Sequence, residues 1–354
     1  MLPWLGAWKA QPSLRISTGF LIIWRDAARM HSLFSRLTTA AGFLAALLLL
    51  GSCGSSPVTP PTVAAKDLPK VYQANGQAYV RTVQSGSDTF SIQTASRTFR
   101  RAGSPDIELV GAMHAAEPAY YRSLQQRLSR ADLVLYELVV DEEDANVDQA
   151  AMQRAEDKSA FSRLASSLGL ISQNRGIDVN KKNFRRCDMT YQQMIVRLQE
   201  EAQQGNSEGK SAHAAKNEFA KLGRVLSGGS WMINGVVGLV GMNHSLRERV
   251  RFMLVAAWQE SDDDAALHPR LQQLILEDRN EFAMNELAKV LRREKHQRIA
   301  IFYGAAHLPD MEKRLLRMGY RAAGARHWND AVVSHPYSSG ISDEEVQEML
   351  GKKR

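Results

Sequence analysis

The sequence predicts an α/β fold: a mixed, mainly parallel sheet with helices on both faces and a helical insertion. Three observations carry this. Two short β-branched apolar runs, far apart in the chain, each end in Gly-x-x-His: residues 107–110 lead into Gly111-Ala112-Met113-His114, and residues 299–303 into Gly304-Ala305-Ala306-His307. Each is followed by apolar residues at helical spacing, so each reads as strand, tight turn, histidine, helix. Between them, Leu133-Val134-Leu135-Tyr136-Glu137-Leu138-Val139 is a nearly continuous apolar run of the kind that parallel sheets cover on both faces.

Taken in order, residues 1–52 read as precursor sequence. The apolar run 41–50 is about as long as a signal-peptide h-region and falls short of the roughly 20 residues that a spanning helix needs. Arg36 supplies a positive flank, and Leu50-Gly51-Ser52-Cys53 resembles the bacterial lipobox, whose cysteine is lipidated and becomes the mature N-terminus. The alternative is a buried apolar helix with an incidental cysteine; the order of charge, apolar run, small residues and cysteine favours lipidation of Cys53. Trp4, Trp8 and the apolar patch 20–24 precede this complete signal, so translation is expected to begin at Met30. Residues 53–70 form a polar, Pro-containing tether that spaces a domain from a membrane. Gly54, rather than Asp, after the cysteine resembles sorting to the outer membrane, facing the periplasm.

Composition places the chain in the globular class. With 44% hydrophobic and 23% charged residues, its 354 residues are ordinary globular material, which excludes disordered and fibrous classes. The net charge of +7 is a weak argument for nucleic acid, because residues 1–52 hold five Lys or Arg and one acidic residue, and so four of the seven charges.

The domain proper is expected over residues 71–335. Alternation in 78–83 and 89–92 predicts short antiparallel strands. Residues 118–130 predict a helix with Tyr120, Leu124 and Leu128 on one face, and the apolar run to Glu137 closes a βαβ unit. Residues 141–265 read as a helical insertion: an acidic start at Asp141-Glu142-Glu143-Asp144, helical segments near 149–168 and 190–203, and a Gly-rich apolar stretch at 228–241. A long helix over 269–295 returns the chain to the strand at 299–302, and Met311, Leu315 and Met318 mark a helix stopped by Gly319. In the tail, 336–354, Ser342 and Glu345 form a capping box that opens a terminal helix.

His114, Glu137 and His307 fall where three parallel strands end, the place where open α/β sheets bind ligands. Glu137 interrupts an apolar run, and a buried ionised carboxylate is costly unless it is paired or metal-bound. Two imidazoles and a carboxylate are a common ligand set for manganese, iron, cobalt or zinc. Position alone equally allows Glu137 at a solvated strand end with both histidines as turn residues. Arg279 has two readings, a fork that binds a substrate carboxylate or a developing oxyanion, or a helix-surface ion pair with Glu277 or Glu281. Asp188 reads as support for a ligand histidine or as a helix cap before Thr190. Gly241-Met242-Asn243-His244 also spells Gly-x-x-His but lacks an intact apolar strand before it, so His244 is expected at a helix N-terminus, the alternative being a third ligand. His213, His268 and His296 sit among polar residues and read as surface. With Cys53 acylated, Cys187 has no disulfide partner and is expected to be buried, the alternative being a reactive thiol. No P-loop, G-x-S-x-G or G-x-G-x-x-G is present.

The paired G-x-x-H motifs, the Ala131-Asp132-Leu133-Val134-Leu135-Tyr136-Glu137 strand, Glu277-Asp278-Arg279-Asn280 and Tyr303-Gly304-Ala305-Ala306-His307-Leu308 resemble the TraB/GumN family, which includes the pheromone-shutdown proteins and the Tiki proteases. The resemblance spans roughly residues 107–320. It implies a fold similar to erythromycin-esterase-like and ChaN-like proteins. It further implies a divalent metal (Mn, Co or Zn) held by His114, Glu137 and His307, with Arg279 and Asn280, alongside Glu137, in the catalytic apparatus. Ala112 replaces the family's usual Thr and Ala306 a frequent Gly, departures that touch turn geometry and substrate rather than the ligands. The expected function is a lipid-anchored, metal-dependent hydrolase of the bacterial envelope acting on peptides. The competing expectations are a protein that sequesters a peptide or signal without cutting it, and a haem or metal carrier.

Overall fold

The computed structural model describes residues 70–72, 78–140, 159–203, 243–260 and 269–351, with shorter pieces at 149–150, 153–154, 210–211, 214–215 and 240–241. The signal and lipobox with Cys53, nearly all of the tether, the acidic run 141–144 and most of the Gly-rich stretch lie outside the described residues, as do His213 and His268.

An eight-stranded mixed sheet organises the described residues. Antiparallel strands come first: β1 (Lys70–Tyr72), β2 (Val80–Ser85) and β3 (Thr89–Arg100). β4 (Asp106–Ala112) pairs antiparallel with β3 and begins the parallel part. The short strand β5 (Ala115–Ala116) follows, then helix α1 (Pro118–Leu128) and β6 (Leu133–Tyr136). Next come α2 (Ala160–Ser167), β7 (Ile171–Ser172), the single turn α3 (Gln173–Gly176), β8 (Phe184–Arg186), α4 (Tyr191–Ala202) and α5 (His244–Glu260). α6 (Pro269–Gln273) runs through a π-turn at Leu274–Asp278 into α7 (Arg279–Arg293). β9 (Arg298–Gly304), α8 (Leu308–Arg317), β10 (Arg321–Ser334) and α9 (Asp343–Met349) complete the order.

The strand order β1-β2-β3-β4-β9-β6-β8 puts the last parallel strand in the middle. β9 pairs in parallel with β4, from Asp106↔Arg298 to Ala112↔Gly304, and with β6, from Leu133↔Ile299 to Tyr136↔Phe302. Its side chains explain the position: Ile299, Ala300, Ile301, Phe302 and Tyr303 are all buried, so the strand needs cover on both faces and a partner on both edges. The chain leaves β4 through α1 toward β6 but leaves β9 through α8 toward β10, which lies along β3. Neighbouring strands with diverging connections open a crevice beyond their carboxyl ends.

Several elements differ from expectation for physical reasons. The middle segment is not wholly helical: β8 joins the sheet parallel to β6, and β7 makes a separate two-stranded ribbon with β5. The helix expected over 269–295 is interrupted by the π-turn just before Arg279. β10, whose sequence gives no clean alternation, forms because it runs along almost the whole of β3 with register shifts that absorb the break around Gly324, at φ +81°. The tail shares the main core, with Tyr337, Ile341, Val346 and Leu350 buried in it, and the Ser342/Glu345 capping box is present. Among the described residues no helix is long and apolar enough to cross a membrane.

Candidate active site

Parallel registry brings the two Gly-x-x-His turns side by side. Gly111 aligns with Tyr303 and Ala112 with Gly304, and the Ala305 N–H donates to Ala112 O at 3.0 Å, stitching one turn to the other. Two adjacent tyrosines of α1 hold the first turn: the Tyr121 hydroxyl donates to Met113 O at 2.6 Å, and Met113 N–H donates to the Tyr120 hydroxyl at 3.1 Å. The second turn closes on itself, His307 N–H donating to Gly304 O at 2.9 Å before α8 begins. Glu137 follows β6 directly, its own N–H donating to Phe302 O at 3.0 Å, which carries the β6–β9 register one residue beyond the strand.

Glu137 is 2% exposed, which removes the reading of a solvated strand end. Its Oε2 accepts from the Gly304 N–H at 2.6 Å and its Oε1 from Arg279 Nη2 at 2.5 Å. Burial pushes its pKa up, but Arg279 and then His307 pull it well below the ordinary carboxylate range. Arg279 is buried as well, and its fork takes Asp188 through Nε–Oδ1 at 2.9 Å and Nη2–Oδ2 at 2.6 Å. One guanidinium therefore pairs with two buried carboxylates, leaving a formal charge of −1 when all three are ionised. Neither Glu277 nor Glu281 is the partner of Arg279. Nor is Arg279 free to meet a substrate carboxylate or an oxyanion: it is a positioning residue that fixes Glu137. Asp188, read from sequence as a histidine's support or a helix cap, serves this pair instead, while Thr190 caps α4 itself.

His307 is fixed from the opposite side. Asn280 Nδ2 donates to Asp310 Oδ2 at 3.0 Å and to His307 O at 3.3 Å, both acceptors only, so its Oδ1 must face His307 Nδ1, 2.7 Å away. Nδ1 then carries the ring proton and Nε2 presents a lone pair. Burial lowers the His307 pKa, against the pull of Glu137, which favours this neutral ring. His307 Nε2 lies 3.4 Å from Glu137 Oε1, longer than the roughly 2.7–2.9 Å of a charge-assisted hydrogen bond. Asn280, too, acts through the histidine rather than on a substrate.

His114 completes the group around a gap left by glycine. A methyl placed on Gly304 would lie 3.3 Å from Glu137 Oε2, 3.6 Å from His307 Cδ2 and 3.7 Å from His114 Nε2. The three side chains singled out in the sequence thus border one small space. The donor chemistry there suits a divalent cation: an imidazole nitrogen and a carboxylate oxygen 3.4 Å apart match the spacing of about 3.4 Å between ligands in a tetrahedral site with bonds of about 2.1 Å. As they stand, no set of three or more His, Cys, Asp or Glu among the described residues is closed up enough to hold a metal. Among the described residues, His114 Nδ1 is buried with no hydrogen-bond partner.

His244 is exposed at the start of α5, as a helix N-terminal residue. Cys187 is buried, its pKa pushed up to about 12 by burial, and its carbonyl accepts from the Tyr303 hydroxyl. Sequence reasoning missed the importance of Gly304 beyond its place in a motif, and the pinning tyrosines; Tyr120 was visible only as an apolar-face residue. Comparison of the chain with protein-family models, curated proteins and solved structures gives no match.

Proposed function

We propose that this chain is an envelope lipoprotein of the TraB/GumN type, with the associated erythromycin-esterase-like fold, whose site binds a divalent metal and hydrolyses peptides. The observation that carries the reading is the convergence of three donors on one glycine gap: His307 Nε2 lies 3.4 Å from a buried Glu137 oxygen, and His114 Nε2 borders the same space. His114, Glu137 and His307 would hold manganese, cobalt or zinc. Bound there, the metal supplies Lewis acidity toward a carbonyl and lowers the pKa of a bound water. Asn280 keeps the proton of His307 on Nδ1, and Arg279 with the Gly304 N–H keeps the Glu137 carboxylate ionised and aimed. Lipid at Cys53 places the domain at the periplasmic side of the outer membrane, beside peptide or protein partners and not nucleic acid.

The test is metal analysis of purified protein lacking residues 1–52. About one divalent ion per chain is expected by the one-site model, with loss of binding in His114→Ala and His307→Ala; unchanged binding in both variants sinks the reading.

One observation favours a second reading, that of a protein that binds a peptide or signal without cutting it. Both carboxylates at the site are committed, Glu137 to Arg279 and the Gly304 N–H and Asp188 to Arg279, so neither is poised as a general base. Incubation of the metal-loaded protein with a peptide library separates the two readings: metal-dependent fragments in the mass spectrum mean hydrolysis, and retention of intact peptide means sequestration.

A further inference from the structure

Two buried polar atoms without a hydrogen-bond partner among the described residues belong to neighbouring backbone positions at the edge of the site. His114 Nδ1 and Gln173 Oε1 are both buried with no hydrogen-bond partner, in residues that are 9% and 5% exposed. They are complementary, since the imidazole nitrogen can donate while the amide oxygen only accepts. Leaving both unpaired is costly, and native interiors hold few such atoms.

Register brings them face to face. β5 and β7 pair antiparallel through Ala115↔Ser172 and Ala116↔Ile171. The Gln173 N–H donates to His114 O at 2.9 Å, which extends the ladder by one residue and sets His114 opposite Gln173. Residues opposed in an antiparallel ladder project from the same face with Cβ atoms about 4.5–5.5 Å apart, within the span of a glutamine amide. Ser172, whose hydroxyl is also buried and unpartnered, is opposite Ala115 and so belongs to the other face.

We propose that Gln173 is the positioning residue for His114, its Oε1 accepting the Nδ1 proton so that Nε2 offers its lone pair to the site. The role rests on the metal reading above. The same device is already formed at the other histidine, where Asn280 Oδ1 accepts from His307 Nδ1 at 2.7 Å. Each imidazole thereby has an amide behind it, the arrangement that fixes tautomer and ring orientation in metal-binding histidines.

The test uses the full-length chain in detergent, labelled with ¹⁵N-histidine, with the His114 signals assigned by their loss in His114→Ala. Proton–nitrogen correlation spectra are expected to show the His114 proton on Nδ1 in the parent chain, on Nε2 or shared in Gln173→Leu, and again on Nδ1 in Gln173→Glu, which restores an acceptor. Co²⁺ titration is expected to show a weakening of about 10- to 100-fold in Gln173→Leu, with recovery in Gln173→Glu. The His307 Nδ1 proton reports whether each variant is folded; if Gln173→Leu loses it, Gln173→Met takes its place. A parent chain with the proton on Nε2 of His114, or a Gln173→Leu chain with unchanged tautomer and unchanged Co²⁺ affinity, overturns the assignment. Co²⁺ that binds His114→Ala as well as the parent overturns the metal reading alone, since the tautomer spectra still decide Gln173.

Discussion

Arg279 carries the largest single-residue consequence. Removing one partner of a buried ion pair typically costs about 3–5 kcal/mol, and here two carboxylates would lose their shared cation. Arg279→Met is therefore expected to lower the urea midpoint by an amount worth about 3–5 kcal/mol. Gly304→Ala tests the gap itself: its methyl would sit 3.3 Å from Glu137 Oε2, an overpacking that should cost about 1–3 kcal/mol while abolishing metal binding that depends on His114 and His307. Cys187 tests burial. With its pKa raised to about 12, the thiol should resist Ellman's reagent at pH 8 in the native protein and react on unfolding. The unfolded thiol ionises first as pH rises, so it binds fewer protons than the native one and stability should fall from about pH 9 upward. At this scale the sequence announced Glu137, because a carboxylate in an apolar run asks for partners. It could not announce Asp188 as that partner's partner, because the pairing depends on where α7 docks, 91 residues away.

At the scale of elements, the two Gly-x-x-His phrases were legible because each is local: an apolar run, a glycine, a histidine, then helical spacing. Gly111 shows why the first phrase needs its glycine. A Cβ there would meet Ala95 O at 2.9 Å, backbone that cannot give way, with Ala305 Cβ at 3.2 Å behind it. Gly111→Ala should accordingly reduce stability and metal binding together, read by thermal melting beside a Co²⁺ titration, whereas Gly304→Ala should chiefly reduce binding. What escaped local reading were the elements defined by distant partners. β10 has its register written in β3, and β8 is three residues whose strand partner is β6. The π-turn before Arg279 likewise reflects docking: it precedes a first helical turn that must bury both Arg279 and Asn280, toward Glu137 and His307 respectively. Irregular turns of this kind are frequent at functional sites.

For the molecule as a whole, the N-terminal signal makes an expectation independent of the site. Cys53→Ser should move the protein from the membrane to the soluble fraction on cell fractionation, while a Co²⁺ titration of the released domain stays unchanged. On the proposed reading the tether and the domain are separable in function, one setting the address and the other the chemistry. The fold class was readable because hydrophobic period and strand composition repeat over many residues; the site's wiring was not, because it is made of single contacts between distant segments. The central place of β9 also governs how the molecule comes into being. Both its neighbours, β4 and β6, are synthesised well over a hundred residues earlier, and closing such long loops is the slow part of folding. Until the chain beyond residue 298 arrives, the sheet has an open slot at its middle, and His114 and Glu137 have neither each other nor His307. On the proposed reading, metal binding is therefore expected as an all-or-none property that appears only once the chain beyond residue 298 has joined the sheet.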